Sequence, residues 1–367
     1  MSQALEGITV VDFSHVVAGP LATHFLALNG ARVIKVEPPA GDPLRDYTAN
    51  RAEMGMSPAF RGINLGKHST VLDLKSPEGR AEALRLIREA DVVVENFRPG
   101  VMARLGLDYE SVAVENPKVV YCSVSGFGQV GALCEVAAID QIVQAMSGLM
   151  QLSGREGDPA MRVGFPIVDT FTGLLAAFAI QTALLQRERG LVRGQNIDVA
   201  MLDATLVMLL SVINPLLMAG EKPQRTGNRG LSRAPTADTF ACAEGEICVG
   251  AVQPGQVEAL LAALELSHLL DRAEFADRVA RIENADAMHT HLAAAFATKT
   301  AEEWEAILQG AGLPAARVRG IEEALALPHL AGRGLVLNIG GDRALNAGFT
   351  FREGGPGINR PAPALKR

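Results

Sequence analysis

The stretch Ile8-Thr9-Val10-Val11-Asp12-Phe13 decides the fold, because it begins a unit in which a short apolar strand leads into a helix and then a second strand. Gly19-Pro20 marks the turn after it, and the pattern predicts a helix over 21–29. Gly30 has the place of a helix C-cap glycine, and Arg32-Val33-Ile34-Lys35-Val36 is the next strand. Such a unit joins parallel strands, so the sequence predicts a parallel sheet.

The strand–helix pattern repeats along the first half of the chain. Further strands are predicted at 70–74, 92–95 and 119–124, and Ser76-Pro77-Glu78 has the residue order of a helix start. We therefore expect an α/β protein with a doubly wound, parallel, Rossmann-like large domain and a smaller α+β domain. The predicted division is a large domain over 1–200 completed by 330–367, a linker helix over 201–224, a small domain over 225–318 and a return linker over 319–329.

The small domain is predicted because the pattern of strands and helices changes after the polar, glycine-containing segment 221–230. A hairpin is expected over 239–251, followed by alanine-rich helices, and Thr300 with Glu303 forms a capping box for the last of these. Before this change, the apolar stretch Leu206 to Ala219 is interpreted as a buried helix.

Composition limits the classes of function. Of 367 residues, 48% are hydrophobic and 20% charged, which is typical of a packed globular protein, and the net charge of −7 argues against nucleic acid as a partner. Leu206 to Ala219, the most apolar stretch, is too short to span a membrane, and the N-terminus lacks signal-peptide features, so a cytoplasmic location is expected. Cys242 and Cys248 flank a predicted turn and could face each other, although buried, reduced thiols are favoured.

One carboxylate stands out, in Val163-Gly164-Phe165-Pro166-Ile167-Val168-Asp169-Thr170-Phe171-Thr172-Gly173. Asp169 comes at the foot of a long apolar helix predicted over Gly173 to Arg189. On spacing alone Asp169 is more simply a helix N-cap than a catalytic group. The two roles are compatible, because N–H donors and the helix dipole would keep the carboxylate ionised, as a nucleophile requires.

Other motifs are weaker. Gly126-Phe127-Gly128-Gln129-Val130-Gly131 matches a dinucleotide-binding pattern and leaves a nicotinamide-dependent dehydrogenase open, but it follows a late strand, and a plain glycine-rich loop is favoured. No zinc, serine-hydrolase or Walker A motif is present, so no metal is expected. Lys75, Arg98 and Arg104 follow strand ends, where doubly wound folds bind phosphorylated ligands, and Asn96-Phe97 adds an amide and an aromatic face.

Taken together in order, several segments resemble the class III CoA-transferases, whose superfamily includes the α-methylacyl-CoA racemases. No single segment is decisive, but their order and spacing are specific and cover nearly the whole chain. The segments are 11–20, 30–37, 72–79, Glu95-Asn96-Phe97-Arg98-Pro99-Gly100, 125–129, 144–148, Val168-Asp169-Thr170, Arg225-Thr226-Gly227-Asn228 and the region 312–328.

The resemblance implies an interlocked homodimer and a CoA-transferase that acts on an acyl-CoA and a carboxylic acid. It implies that Asp169 attacks the thioester, and that neither ATP, a metal nor a permanently bound cofactor takes part, since CoA and acyl-CoA are substrates. The implied CoA contacts are His15, Val17, Ala18, Leu72, Lys75, Asn96, Phe97, Arg98, Arg104, Ala137 and Asp140.

Three positions depart from relatives within this superfamily. Val17 replaces a glutamine of the formyl-CoA transferases, which argues against formate or oxalate specificity. Pro38 replaces a CoA-contacting arginine, and we take Arg45 as the substitute charge. Ile139 replaces the histidine that moves a proton in the racemases, which favours acyl transfer over racemisation. A racemase and a catalytically silent CoA-binding protein remain the alternatives.

Overall fold

The computed structural model describes residues 2–365. Their strands, numbered along the chain, are β1 (Thr9–Asp12), β2 (Arg32–Glu37), β3 (His68–Val71), β4 (Val92–Glu95), β5 (Val120–Ser125), β6 (Gln195–Ala200), β7 (Thr239–Ala241), β8 (Glu246–Val249), β9 (Ala315–Arg317), β10 (Val336–Ile339) and β11 (Asp342–Leu345).

The helices in the same residues are α1 (Ala18–Leu28), α2 (Pro58–Asn64), α3 (Pro77–Arg88), α4 (Val101–Leu105), α5 (Tyr109–Glu115), α6 (Asp140–Met146), α7 (Leu149–Leu152), α8 (Ile167–Glu188), α9 (Met201–Met208), α10 (Leu210–Ala219), α11 (Pro254–Ala263), α12 (Arg278–Glu283), α13 (Ala285–Phe296), α14 (Ala301–Gly310), α15 (Ile321–Leu325) and α16 (Pro328–Gly332). Short 3₁₀ helices span Pro43–Asp46, Arg51–Glu53 and Ser267–Asp271.

The chain divides into two compact units. The first comprises residues 2–150, 162–221 and 328–365, and the second comprises residues 151–161 and 222–327. Each unit has its own buried apolar cluster.

The first unit is built on a six-stranded sheet in the order β3-β2-β1-β4-β5-β6, and every neighbouring pair is parallel. This is the strand order of a doubly wound fold, so the predicted parallel α/β sheet is confirmed. Alternate residues of β4 enter different apolar clusters: Val92 and Val94 pack with α1 and α8, whereas Val93 packs with α3 and α5. Both faces of the sheet are therefore covered by helices.

Helices α1 and α8 pack very closely at Gly173. A Cβ on this glycine would lie 2.7 Å from the carbonyl oxygen of Ala18 and 3.0 Å from Cβ of Leu21. Only a residue without a side chain allows this approach, since neither contact leaves room for a methyl group. As a result, the first turn of α8 lies beside the segment that enters α1.

A buried ionic network supports the segment between β1 and α1. Lys35 pairs with Asp42 at 2.8 Å and donates to the carbonyl oxygen of Ser14, while Lys67 pairs with Asp12 at 3.1 Å. All four ionic side chains are fully buried. Burial lowers the pKa of Lys67 to about 8, against the opposing effect of Asp12. Such groups are tolerated only when each finds partners, as they do here.

The second unit contains the antiparallel sheet β7-β8-β9 and the helices α11 to α14. Its core includes Phe240, Phe296 and Trp304; the Phe240 and Phe296 rings stack with centroids 4.7 Å apart, and the indole nitrogen of Trp304 donates to the Phe296 carbonyl. The predicted capping box of Thr300 and Glu303 is confirmed at the start of α14.

Some sequence-based expectations about secondary structure are wrong. The stretch Leu206–Ala219 is not one buried helix, because α9 and α10 meet at 79° and α10 has no buried residue. The expected strand 70–74 is β3, which ends at Val71, because Asp73 begins a turn. Two stretches for which the sequence pattern predicted no elements are also structured: α2 precedes His68 and is capped by Ser57, and the residues after 320 form α15, α16 and the hairpin β10–β11.

The thiols also differ from expectation. Cys248 lies opposite Thr239 in the hairpin register, and the amide of Cys242 bonds Gly245, so the two thiols do not face each other. Cys122 is buried, but Cys248 is exposed and Cys134 and Cys242 are half-buried.

By length and apolar composition, α8 could cross a membrane. Its apolar residues have a structural explanation, because one side of the helix packs on α1 and the sheet.

Candidate active site

A cavity of about 470 Å³ opens at the carboxyl ends of β1, β4 and β5. These strands are neighbours in the sheet, and in open α/β sheets this edge is where ligands bind. Its walls come from the segment entering α1, the segment after β4, the loop after β5 and the first turn of α8. The lining includes His15, Val16, Val17, Ala18, Tyr47, Asn96, Phe97, Arg98, Pro99, Cys134, Ile139, Asp140, Arg162, Asp169 and Met201.

The segment entering α1 is held in an unusual backbone conformation. Val16 has a φ of 65°, a left-handed value that costs free energy for a β-branched residue. Its N–H donates to the Asp42 carboxylate, which Lys35 pairs in turn. The buried ions thus fix the backbone that lines the cavity.

The segments after β1 and β4 are joined by a reciprocal amide pair. The N–H of His15 donates to Oδ1 of Asn96, and Nδ2 of Asn96 donates to the His15 carbonyl, both at 2.8 Å. The His15 ring meets Phe97 edge to face, with centroids 5.2 Å apart. Burial, followed by the charge of Lys35, lowers the pKa of His15, so its imidazole is neutral at pH 7. Its buried Nδ1 has no hydrogen-bond partner in the described residues.

Asp169 is the third residue of α8, within the helix, and so the expectation that it is the N-cap is wrong. Residues 165–167 turn early into the helix, which begins at Ile167 rather than Gly173. Among the described residues nothing donates a hydrogen bond to the carboxylate of Asp169. Burial, and then the charge of Asp140, raise the pKa of Asp169 to about 7, contrary to the expected strongly ionised state.

Asp140 supplies the cap that Asp169 does not. Its Oδ2 accepts from the backbone N–H of Val168 at 2.8 Å and of Asp169 at 3.2 Å. Its Oδ1 accepts from Nε2 of Gln144 at 2.6 Å, and Oε1 of Gln144 accepts from the N–H of Val163. The first residue of α6 therefore satisfies the first turn of α8.

The structure brings together most of the residues implied as CoA contacts. Those lining the cavity are His15, Val17, Ala18, Asn96, Phe97, Arg98 and Asp140. Leu72, Lys75, Arg104 and Ala137 are not part of its lining. For Leu72 and Lys75 the reason is topological, because they follow the edge strand β3, which β2 separates from the cavity strands β1, β4 and β5.

Arg45 cannot act as the substitute CoA-binding charge. Its guanidinium is buried, makes two 2.7 Å hydrogen bonds to Glu37 and lies over the Phe60 ring. This is a structural ion pair with no free donor edge toward the cavity.

Sequence reasoning missed Tyr47, Cys134, Arg162 and Met201 in the lining. Arg162 has a signal in the sequence, as a lone cation seven residues before Asp169 in an otherwise apolar approach. The other three come from distant segments, and only the fold brings them to this edge.

The glycine-rich loop does not have dinucleotide-binding geometry. Residues 131–139, all described, contain no helix, so no helix N-terminus follows Gly131 to receive a pyrophosphate. Instead, a Cβ on Gly126 would lie 2.2 Å from that of Ala138, and the glycine serves close packing. Within residues 2–365, no group of three or more His, Cys, Asp or Glu side chains is arranged to hold a metal ion.

Comparisons with known proteins agree on one family. The family model described as CoA-transferase family III matches residues 5–367. The acetyl-CoA:oxalate CoA-transferase of Acetobacter aceti is 38% identical over 92% of this chain and 86% of that protein, and the succinate–glutarate CoA-transferase of Agrobacterium fabrum is 36% identical over 91% and 85%. The crystal structure of a CAIB/BAIF family protein from Brucella suis has a TM-score of 0.90 and 31% identity, covering 100% of this chain and 97% of that one.

Replacing Asp169 with asparagine is expected to stabilise the protein at pH 8. A carboxyl group whose pKa is raised in the folded state resists ionisation there, whereas it ionises readily in the unfolded state. The free energy of unfolding therefore falls as pH rises from about 4 to about 7. Asp169→Asn removes this penalty. Thermal melts should show a higher Tm than wild type at pH 8, with the difference shrinking toward pH 4.

The matched control is Asp203→Asn, which changes an exposed acid at the same position of the first turn of α9. This variant should lose a little stability, because it removes a favourable helix-dipole interaction. An unchanged or lower Tm for Asp169→Asn at pH 8 would show that the Asp169 site does not destabilise the fold.

Proposed function

The chain belongs to CoA-transferase family III and is a CoA-transferase, and we propose that it moves CoA from an acyl-CoA thioester to a free carboxylic acid through covalent intermediates on Asp169. The observation that carries this proposal is the carboxylate of Asp169, which lines the cavity at the sheet edge and receives no hydrogen bond from the described residues. A carboxylate left without partners in a ligand cavity is free to react with the ligand.

The proposed reaction has four balanced steps. A carboxylate oxygen of Asp169 attacks the thioester carbonyl, the C–S bond breaks, and a mixed anhydride and CoA thiolate form. The thiolate attacks the aspartyl carbonyl, which gives an aspartyl-CoA thioester and releases the donor acid. The acceptor carboxylate then attacks this thioester to form a second anhydride and free the thiolate. The thiolate finally attacks the acceptor's carbonyl and restores Asp169. No proton is consumed, and the thioester energy stays in covalent bonds.

The raised pKa of Asp169 suits this role. A carboxylate with a pKa near 7 is more basic than an ordinary one and is therefore a stronger nucleophile, while a large fraction remains ionised at neutral pH. Burial, the main cause of the shift, also limits access of water to the anhydride, which hydrolysis would otherwise destroy.

We propose that the acyl-CoA lies across the ends of β1 and β4. The unpartnered Nδ1 of His15 and the Phe97 ring would contact the pantetheine chain or the base, and Arg98 would pair with a phosphate. The remaining implied contacts, Lys75 and Arg104 among them, lie off the cavity and would meet only the distal part of the long ligand.

We propose a dicarboxylate as one substrate. Arg162 is exposed in the cavity lining and forms no ion pair in the described residues, so its guanidinium is available to a carboxylate that does not react. Relatives with the printed names acetyl-CoA:oxalate and succinate–glutarate CoA-transferase act on dicarboxylic acids. Arg98 would then serve the CoA, and Arg162 the distal carboxylate.

We also propose that the protein is a homodimer. Leu174, Phe178 and Leu185 are spaced to share one face of α8 and are 48%, 65% and 58% exposed. On α10, Leu217 and Met218 are also largely exposed. A membrane is a poorer occupant, because the opposite side of α8 is fixed on α1 and the sheet. A second copy of the chain would cover these apolar side chains.

Covalent transfer is tested by incubating the protein with a panel of acyl-CoAs and hydroxylamine, followed by peptide mass spectrometry. An anhydride or thioester at Asp169 should be converted to a hydroxamate on the peptide that contains this residue. The adduct should be absent in Asp169→Ala and retained in Asp203→Asn. If no thioester that demonstrably binds gives the adduct, the nucleophile assignment is wrong, and proton-transfer chemistry or silent binding takes its place.

Substrate class is tested with Arg162→Gln. Loss of one charge-assisted hydrogen-bonding partner is expected to raise KM for succinate by about 10–100-fold and to leave KM for butyrate and for the acyl-CoA unchanged. Arg193→Gln, an exposed arginine outside the cavity, is the matched control and should behave as wild type. Equal effects on both acids would contradict a role in binding a second carboxylate.

The dimer is tested by analytical ultracentrifugation, in which the wild type should sediment at twice the chain mass. Phe178→Asp should shift the equilibrium toward a monomer, because it places a charge in the proposed apolar interface. Val114→Asp, at an 80% exposed position on α5, should remain dimeric. A monomeric wild type that instead cosediments with vesicles of neutral and anionic lipid would point to a membrane as the occupant.

A further inference from the structure

The nucleophile's helix is capped by a second acid from another helix. Oδ2 of Asp140 holds the N–H groups of both Val168 and Asp169, and this oxygen belongs to a side chain that is only 8% exposed. The main chain of Asp169 is therefore hydrogen-bonded directly to the Asp140 carboxylate. Any displacement of the Asp140 carboxylate would move the start of α8 and the nucleophile with it.

The other oxygen of Asp140 extends the same support. Gln144, fully buried one turn along α6, donates to Oδ1 and accepts from the N–H of Val163. The approach to α8 and its first turn are thus bonded to one pair of side chains on α6. Beneath this pair, Val143, Val168 and Met201 form a small apolar cluster, so the arrangement is packed as well as hydrogen-bonded.

This geometry separates two possible roles for Asp140. A residue that binds CoA offers its polar atoms to the ligand, but three hydrogen bonds already occupy both oxygens of Asp140. We infer that Asp140 is a positioning residue, which caps α8 from α6 and holds the Asp169 carboxylate in line with the thioester. The inference rests on the proposed function and assigns Asp140 a role different from that implied by the resemblance.

The charge of Asp140 has a second effect on the same site. A neutral cap would leave the helix dipole to stabilise the Asp169 carboxylate, whereas the negative charge of Asp140 opposes it. The cap therefore orients the nucleophile without making it less basic. The other titratable groups that line the cavity are His15, Tyr47, Arg98, Cys134 and Arg162.

The test uses Asp140→Asn and Asp140→Ala in the full-length protein. Misplacement of a reacting group by about 1 Å costs on the order of 100-fold in rate, so kcat should fall by about 10–100-fold in Asp140→Asn and further in Asp140→Ala. KM for the acyl-CoA should stay within about twofold, since ligand contacts are untouched. The acidic limb of the kcat/KM profile should move to lower pH, because removing the neighbouring negative charge lowers the pKa of Asp169.

A charge-swapped double variant distinguishes geometry from charge. In Asp140→Asn with Gln144→Glu, the new amide can accept from α8 and donate to the new carboxylate, so the hydrogen bonds survive while the charge moves away from α8. This variant should recover most of the kcat lost in Asp140→Asn and keep part of the shift in the pH profile. No recovery would overturn the positioning role.

Other outcomes are equally decisive. A raised KM for acyl-CoA with an intact kcat would make Asp140 a CoA contact. Loss of folded protein in step with activity, with no change in the pH profile, would make it merely structural. If the wild type itself transfers no CoA and forms no hydroxamate, the proposed function fails; if it does both and the Asp140 variants match it, only the present inference fails.

Discussion

The close contact of α1 with α8 at Gly173 is the constraint on which the site depends. It is possible only because this residue has no side chain, and it brings the first turn of α8 beside the segment that enters α1. The nucleophile candidate is on one of these segments, and the His15–Ala18 wall is on the other. Without this contact the two halves of the cavity would separate, although each helix could form by itself.

Two polar systems then hold the partners of that contact. On the side of α1, Lys35 and Asp42 are buried behind the left-handed Val16. On the side of α8, Asp140 takes the place of a local cap. Both systems bury charged groups at a cost in free energy. Each of them holds one backbone segment, the entry to α1 or the start of α8, in a single conformation. This is a common use of buried polar groups: they specify one arrangement of a segment that apolar packing alone would leave free.

Much of the fold was predictable, because buried strands with glycine-capped helices leave strong local signals. The strand Val92–Glu95 has the predicted bounds, and the predicted capping box of Thr300 and Glu303 begins α14. The failures share one cause, the absence of tertiary information. The apolar run 206–219 has the composition of a core helix, and nothing local to it indicates that its side chains are exposed. The predicted start of α8 is wrong because the residue that caps the helix lies 29 positions before Asp169.

The site was predictable in kind but not in its electrostatics. Asp169 and Asn96–Arg98 were found from motifs, whereas Tyr47 and Met201 enter the lining through the fold alone. Arg45 illustrates the limit well, since its neighbours in sequence do not reveal that Glu37 and Phe60 enclose it. The raised pKa of Asp169 likewise depends on burial and on Asp140, neither of which can be read from the residues around it.

The buried ions behind Val16 have a consequence for how the protein would protect the proposed anhydride. Lys35 with Asp42 and Lys67 with Asp12 form two fully buried ion pairs, so the wall around Val16 rests on enclosed protein rather than on solvated side chains. In the proposed mechanism, bound CoA would then fill the mouth of the cavity and limit the access of water to the anhydride. In such an arrangement the CoA leaving group itself would exclude water. The rate of wasteful hydrolysis would then depend on how long free CoA stays bound between the two half-reactions.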